Sequence, residues 1–547
     1  MSPVRPLPVI DPETQAFWTS GADGTLRVPR CRGCARLRHP SLSVCPTCHR
    51  SDPEPVGVSG DATVLGFTVN HQQWLPGYPP PYVVAVVALA EDAGIRLTTN
   101  IVGVDPDDVR VGMAVHVVFE QHDDVWIPLF TPVEGRPDGD ALAPLPVASV
   151  RPMVTTDKFE HRVAITGIGM SEVGRRLMRP PLALAVDACL AAVADAGLEL
   201  SDIDGLSTYP GSGLNGGHSE GGVTPLEEAL RIHPTWHNGG PETSGQTGSV
   251  VTAMLAVAAG LCRHVLCFRT VWEATHTELV RSGRVHESRG RIGGDMQWRL
   301  PFGAMSAANW IGMNASQYFH RYGGGRETLG WIALNARANA ARNPAAIYRD
   351  PLTMDDYLAA RMITTPFGLY DCDVPCDGSV AVIVSAVDAA RDLRQPPVLV
   401  EAVGTQITER VSWDQGTTTH EPQVFGPAAH MWTRTDLRPS DVDVAELYDG
   451  FTFNCLTWLE ALGFCGVGEA RDFLDGGKRI ALDGEIPLNT HGGQLSAGRT
   501  HGYGFLHEAV TQLRGMAGDR QVRGAEVALM SAGGGVPGGC MLLTTAR

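Results

Sequence analysis

Residues 162–169 read RVAITGIG, and residues 181–196 read PLALAVDACLAAVADA. The first is an apolar run that closes on glycine, the pattern of a buried strand entering a turn. The second repeats apolar residues at helical spacing. Pro181 suits a first-turn position, where its missing N–H is not needed. Strand and helix patterns keep alternating afterwards, which predicts a layered α/β domain. Residues 134–158 (EGRPDGDALAPLPVASVRPMVTTDK) are rich in Pro, Ala and Val and lack a clear period, so they read as an extended linker.

Upstream of that linker the texture is different. Runs 61–70 (DATVLGFTVN), 82–89 (YVVAVVAL), 95–101 (IRLTTNI) and 114–119 (AVHVVF) are rich in β-branched residues and are separated by Gly and Pro. Short strands at this spacing predict a small barrel. Ahead of them stand Cys31-x-x-Cys34 and, ten residues on, Cys45-x-x-Cys48. Each knuckle turns two thiolates toward a common point, so the pair predicts one tetrahedral Zn²⁺. Four sulfur ligands leave no position for water, which makes this metal structural. A disulfide pair or a redox CxxC are the competing readings. The start, MSPVRPLPVIDPETQ, lacks the basic flank and apolar stretch of a signal peptide. That reading disfavours disulfides and points to the cytoplasm.

The composition narrows the function classes. The 547 residues are 43% hydrophobic and 19% charged, ordinary for a globular chain of several domains. A net charge of −17 repels phosphate backbones and argues against nucleic acid. No apolar run reaches the roughly 18 residues that span a bilayer. Lys158 and Lys478 are the only lysines, so a Schiff-base mechanism has two candidates.

Four segments of the second half, in order, carry a resemblance. Residues 243–249 (TSGQTGS) precede the helical run VVTAMLAVAAG. Residues 371–378 read DCDVPCDG, and 446–451 read ELYDGF. Residues 489–504 read NTHGGQLSAGRTHGYG, followed by SAGGG at 531–535. Together these resemble the thiolase superfamily, in its sterol-carrier and lipid-transfer branch, over about residues 160–547. The resemblance implies a five-layer αβαβα fold of two similar halves, 159–395 and 396–547, and a homodimer. Residues 12–133 resemble the zinc-ribbon plus OB-fold domain found beside thiolases in acyl-CoA metabolism. The resemblance rests on the knuckles, the PPY at 80–82 and NIVGVD at 100–105. The organisation expected is an N-terminal helix and ribbon over 1–50, an OB-fold over 51–133, and the linker at 134–158.

Three departures from the thiolase pattern bear on chemistry. A thiolase needs a nucleophilic cysteine, a histidine to deprotonate it, and a second cysteine as acid/base. Here Gly245 stands at the nucleophile position, Arg499 replaces the histidine of the GH pair, and Ser531 replaces the last cysteine. Cys262 and Cys267 read as core residues. Acyl transfer through sulfur is therefore not expected.

The pattern resembles the lipid-transfer-protein type retro-aldolases that cleave steroid side chains, in which a cysteine-free thiolase-like subunit works with a separate zinc-ribbon OB domain. Here both lie on one chain. The resemblance implies a β-hydroxyacyl-CoA substrate, coenzyme A arriving with it, and no catalytic metal. An enoyl-CoA hydratase stays an open partner. Retro-aldol cleavage leaves an enolate, which the thioester and hydrogen-bond donors stabilise without an imine. Tyr448 and Tyr503 are the candidate acid and base; their bland alternative is two packed aromatics. His491 would hold the thioester oxygen or make a plain structural hydrogen bond. Arg499 and His501 would contact acyl-CoA or orient Tyr503. Asp449 would orient Tyr448 or cap a helix, and Gly534 would approach the substrate. Three other readings stand beside this one: an acyltransferase with unusual residues, a non-catalytic acyl-CoA or lipid carrier, and nucleic-acid binding through the OB domain.

Overall fold

The computed structural model describes residues 5–546 apart from 140–149, 152, 154, 214–215, 286–289, 411 and 534–536. Most of the central part of the expected linker lies outside the described residues. Its described ends are tied down: Gly139 N–H donates to Gly112 O at 2.8 Å, and Lys158 Nζ meets Glu401 Oε1 at 2.9 Å.

The run at 162–169 is the strand Val163–Met170, and the helix spans Pro181–Ala196 with Pro at its first turn. The strand does not turn at its glycines. A Cβ on Gly169 would lie 2.3 Å from the carbonyl oxygen of Ala188, so glycine lets the helix pack directly on the strand. Ala185, Ala188, Ala192 and Ala196 face Leu206, Leu266, Phe268 and Ile383 in one core cluster.

The strand Val163–Met170 lies at the centre of a nine-stranded sheet. On one side follow Asp377–Ala386, His264–Trp272, Gly205–Thr208 and Trp236–Gly239. On the other follow Val398–Gly404, Gly539–Thr545, Val527–Ala532 and Val444–Glu446. The two halves join through two residue pairs, Val398↔Ile165 and Leu399↔Ala164. The sheet curls at this seam. Helix Gly502–Leu513 packs on strands of both halves and so lies between them. Helix Gly248–Ala258 covers the inner face of the first half, where Val265, Cys267, Val380 and Val382 point. Helices Pro181–Ala196 and Phe425–Trp432 cover the outer faces, completing five layers of the expected αβαβα order.

The N-terminal barrel is built from Asp61–Asn70, Tyr82–Leu89, Asp92–Thr99, Ala114–His122 and Val125–Pro132, and a bridge from Ile101 to Phe130 closes it. The last of these strands is one that the sequence reading passed over. Every residue of Tyr82–Leu89 is buried, because the strand serves two cores. Val83, Ala85, Val87 and Leu89 point into the barrel, while Tyr82, Val84, Val86 and Ala88 join the thiolase-like core. The outer face of this strand is thus covered, which weighs against nucleic-acid binding there. Thr364 of the thiolase-like half pairs with Asn70, extending the barrel's sheet. Trp298 and Phe302 of that half enter the barrel core. No helix among the described residues is long and apolar enough to cross a membrane.

Candidate functional site

The four knuckle cysteines converge. Their sulfur atoms all lie within 4.8 Å of one another, with Cys31–Cys48 at 3.4 Å and Cys34–Cys45 at 3.7 Å. Tetrahedral Zn–S bonds of about 2.3 Å require S···S edges of roughly 3.8 Å, so the donor set fits zinc. The separations are far from the roughly 2.05 Å of a disulfide. Between the two knuckles in sequence, the His39 ring lies 5.0 Å from Phe17 and 4.9 Å from Trp298.

Two of the three positions that departed from the thiolase pattern, Gly245 and Ser531, lie close together. Gly245 has φ +67°, and a Cβ there would sit 2.7 Å from the Ala532 carbonyl oxygen and 2.9 Å from its Cβ. No side chain fits where the nucleophile would stand. Ser531, one residue earlier, accepts the backbone N–H of Tyr448 at 2.9 Å. Tyr503 lies in the first turn of Gly502–Leu513, and its hydroxyl is 2.6 Å from Ser249 Oγ. Ser249 in turn donates to Gln246 O at 2.9 Å. Cys262 and Cys267 are buried, and burial raises both thiol pKa values, so neither supplies a thiolate.

Both phenols are buried and neutral. Burial raises Tyr448, and Asp373 adds to the effect, while Arg499 and the amide of Gln494 act the other way. Burial also raises Tyr503, with Cys267 the next cause. Two carboxyls beside Tyr448 titrate near neutrality. Burial pushes Asp373 up to about 7 and Glu421 up to about 8. Glu421 Oε2 accepts from Asn454 Nδ2 at 2.6 Å, but its Oε1 is buried with no hydrogen-bond partner among the described residues. Gln246 Oε1 and both polar atoms of Gln423 are in the same condition. Each such atom costs about 1–3 kcal/mol, and functional sites are where proteins carry that cost.

The remaining candidates divide by what they touch. Arg499 pairs with Glu273 and stands 3.4 Å from Asp373. Burial opposes ionisation of Glu273, but Arg499 and His218, at 2.9 Å, hold its carboxyl at about 2. His501 Nδ1 lies 3.1 Å from Arg269 Nη2, and the N–H of His501 donates to Gln494 Oε1 at 3.0 Å. Burial, then Arg269 and Arg499, hold its imidazole well below the usual range, so the ring is uncharged. Asp449 accepts from Gln494 N–H at 2.8 Å and Asn489 Nδ2 at 3.0 Å, clasping the 489–494 turn. His491 Nδ1 lies 3.0 Å from Glu446 Oε2; burial opposes its charge, but Glu446 raises its pKa. His491 also lines a cavity of about 310 Å³ with Ser171, Asn343, Gly498, Thr500 and Glu508. Tyr448 and Tyr503 are not in that lining. Gly534 lies outside the described residues. Sequence reasoning missed Arg269, Glu273, Asp373 and Glu421, because no local pattern marks a residue whose partner is distant in the chain.

Comparison with known proteins is consistent along the whole chain. Residues 18–54 match the rubredoxin-like zinc ribbon domain of ChsH2, 55–120 match the ChsH2 C-terminal OB-fold domain, and 409–541 match a thiolase C-terminal domain-like family. A steroid side-chain-cleaving aldolase of Thermomonospora curvata is 36% identical over 393 residues, covering 70% of this chain and 98% of the relative. A 17-hydroxy-3-oxo-4-pregnene-20-carboxyl-CoA lyase of Mycobacterium tuberculosis is 35% identical, covering 70% of this chain and 99% of the relative. The solved Ltp2-ChsH2(DUF35) aldolase aligns with a TM-score of 0.62 at 35% identity, over 71% of this chain and 98% of that one. With its sulfur nucleophile replaced by a glycine that admits no side chain, the chain belongs to the thiolase-like side-chain-cleaving aldolases and is a carbon–carbon lyase.

Proposed function

We propose that the protein cleaves the Cα–Cβ bond of a β-hydroxyacyl-CoA, releasing a ketone or aldehyde and a shorter acyl-CoA. The names of the two relatives support a steroid side chain as the acyl group. The observation that carries the mechanism is the closed nucleophile position at Gly245, against Ala532, together with Tyr503, whose hydroxyl meets Ser249, and Tyr448, whose backbone N–H is held by Ser531 next to Ala532.

The proton assignments follow from what each phenol can pass on. A neutral phenol acts as base only by handing its own proton to a neighbour while accepting the substrate's. Tyr448 has the carboxyls of Asp373 and Glu421 in its field, both titrating near neutrality. Tyr503 shares its proton with Ser249, which already donates to a backbone carbonyl and cannot relay further. Tyr448 is therefore the base for the β-hydroxyl, and Tyr503 the acid that protonates the enolate carbon. Asp449 clasps the 489–494 turn around the substrate. Arg499 stabilises negative charge developing at Tyr448. His491 is held by Glu446 at the wall of its cavity and supplies a donor toward the acyl-CoA. A homodimer through the edge strand Trp236–Gly239 fits the same family plan.

The test is incubation with a panel of β-hydroxyacyl-CoAs, read by mass spectrometry. A carbonyl product with a matching shortened acyl-CoA is expected. Ligand binding without turnover of any member, under conditions where the protein is folded, would identify a carrier instead.

A further inference from the structure

Arg269 is a charged residue on the inner, buried face of a central strand. In His264–Trp272, Leu266 and Phe268 face the outer helix, whereas Val265 and Cys267 face the central layer. Arg269 shares the inward parity and is 2% exposed. Its Nη1 donates to the backbone carbonyls of Tyr209, His218 and Thr270, which fixes the guanidinium plane. The ring of Tyr209 stacks 5.3 Å from Cζ. Nε is buried without a hydrogen-bond partner among the described residues, and Nη2 is aimed at Nδ1 of His501 at 3.1 Å. The two residues are 232 positions apart.

A guanidinium has donors and no acceptor. Nδ1 of His501 must therefore be the acceptor, which places the ring proton on Nε2. His501 itself has φ +56°, an unfavourable conformation for a residue with a side chain, and its N–H is held by Gln494. The imidazole is thus locked in position by its backbone and in tautomer by Arg269. The ring stands two residues before Tyr503, beside Gly502, which packs on Ala532. The cation of Arg269 also acts electrostatically on both Tyr448 and Tyr503.

The geometry points to Arg269 as a positioning residue that holds His501 as a fixed Nε2–H donor to the thioester oxygen, which becomes the enolate oxygen on cleavage. The inference rests on the carbon–carbon lysis proposed above. It adds His501 as the oxyanion donor and gives the buried arginine a role.

The test is a double-mutant cycle on full-length protein, with kcat and KM measured for wild type, Arg269→Gln, His501→Gln and the double variant. A glutamine amide is a donor that has no tautomer to choose. Arg269→Gln is expected to lower kcat about 10- to 100-fold with KM within about threefold, the loss typical of one oxyanion donor. In the His501→Gln background the same change should cost less than about threefold. Equal losses in both backgrounds would make Arg269 merely structural and overturn the inference. Should Arg269→Gln fail to fold, His501→Gln against His501→Phe decides, since both leave Arg269 in place. Glutamine should retain at least about ten times the kcat of phenylalanine, and equal kcat values would refute the donor role. A wild-type protein that cleaves no β-hydroxyacyl-CoA would instead sink the underlying function.

Discussion

Restoring the lost nucleophile should fail for steric reasons that can be sized. In Gly245→Cys the new Cβ meets the Ala532 carbonyl oxygen at 2.7 Å and the Ala532 Cβ at 2.9 Å, well inside contact distance. Ala532 cannot easily retreat, because it pairs with Gly539 at the end of a strand that has neighbours on both sides and is fully buried. Overpacking of this kind costs about 1–3 kcal/mol. The φ of +67° adds roughly 1–2 kcal/mol for any residue with a Cβ. The thiolase-like half should therefore lose about 2–5 kcal/mol. Urea unfolding followed by tryptophan fluorescence measures that loss. Intact-protein mass spectrometry after incubation with acetyl-CoA tests for an acyl-enzyme, and none is expected. A Gly245→Cys protein as stable as wild type that also gains an acyl group would refute the argument that the site has closed around its glycine.

Three further outcomes are expected. Tyr448→Phe and Tyr503→Phe should each lower kcat about 10²- to 10⁴-fold with little change in KM, measured by product release under saturating substrate; Tyr503→Phe also gives up its Ser249 hydrogen bond, worth about 1 kcal/mol in a thermal melt. The carboxyl that receives the Tyr448 proton must be ionised; with burial raising Asp373 to about 7 and Glu421 to about 8, kcat should rise as pH increases through that window and fall below it. Glu421→Gln should move that rise when Glu421 is the acceptor and Asp373→Asn when Asp373 is, and a kcat–pH profile unchanged in both would exclude the relay. Cys45→Ser should lower bound zinc by metal analysis and loosen the ribbon, detected as faster proteolysis within residues 18–54, because a four-sulfur site contributes its binding energy to local folding.

The chain itself carried the local features. CxxC pairs act through a few bonds, so the metal site was legible from spacing alone. Strands such as Asp61–Asn70 and the helix Pro181–Ala196 followed their hydrophobic periods to the residue, because each buries one face against a neighbour it does not need to identify. The replacement of all three sulfur-chemistry groups was also visible, as was the candidacy of the two tyrosines. Interpretation failed where one pattern had two causes. The glycines of RVAITGIG looked like a turn, yet they admit a helix. The unbroken apolar run of Tyr82–Leu89 looked like an ordinary barrel strand, yet it divides between two cores.

Tertiary structure alone decided the electrostatics. Arg269 meets His501 across 232 positions, Arg499 meets Glu273 across more than two hundred, and Glu421 turns one oxygen to Asn454 while the other has no partner. Burial and neighbouring charge set the protonation of these groups, and both depend on which distant segments the fold brings together. Hydrophobic patterning is a property of short stretches and survives in the bare chain. A proton's destination depends on atoms a few ångströms away, and these are assembled only when the two halves of the curled sheet close on the helices between them.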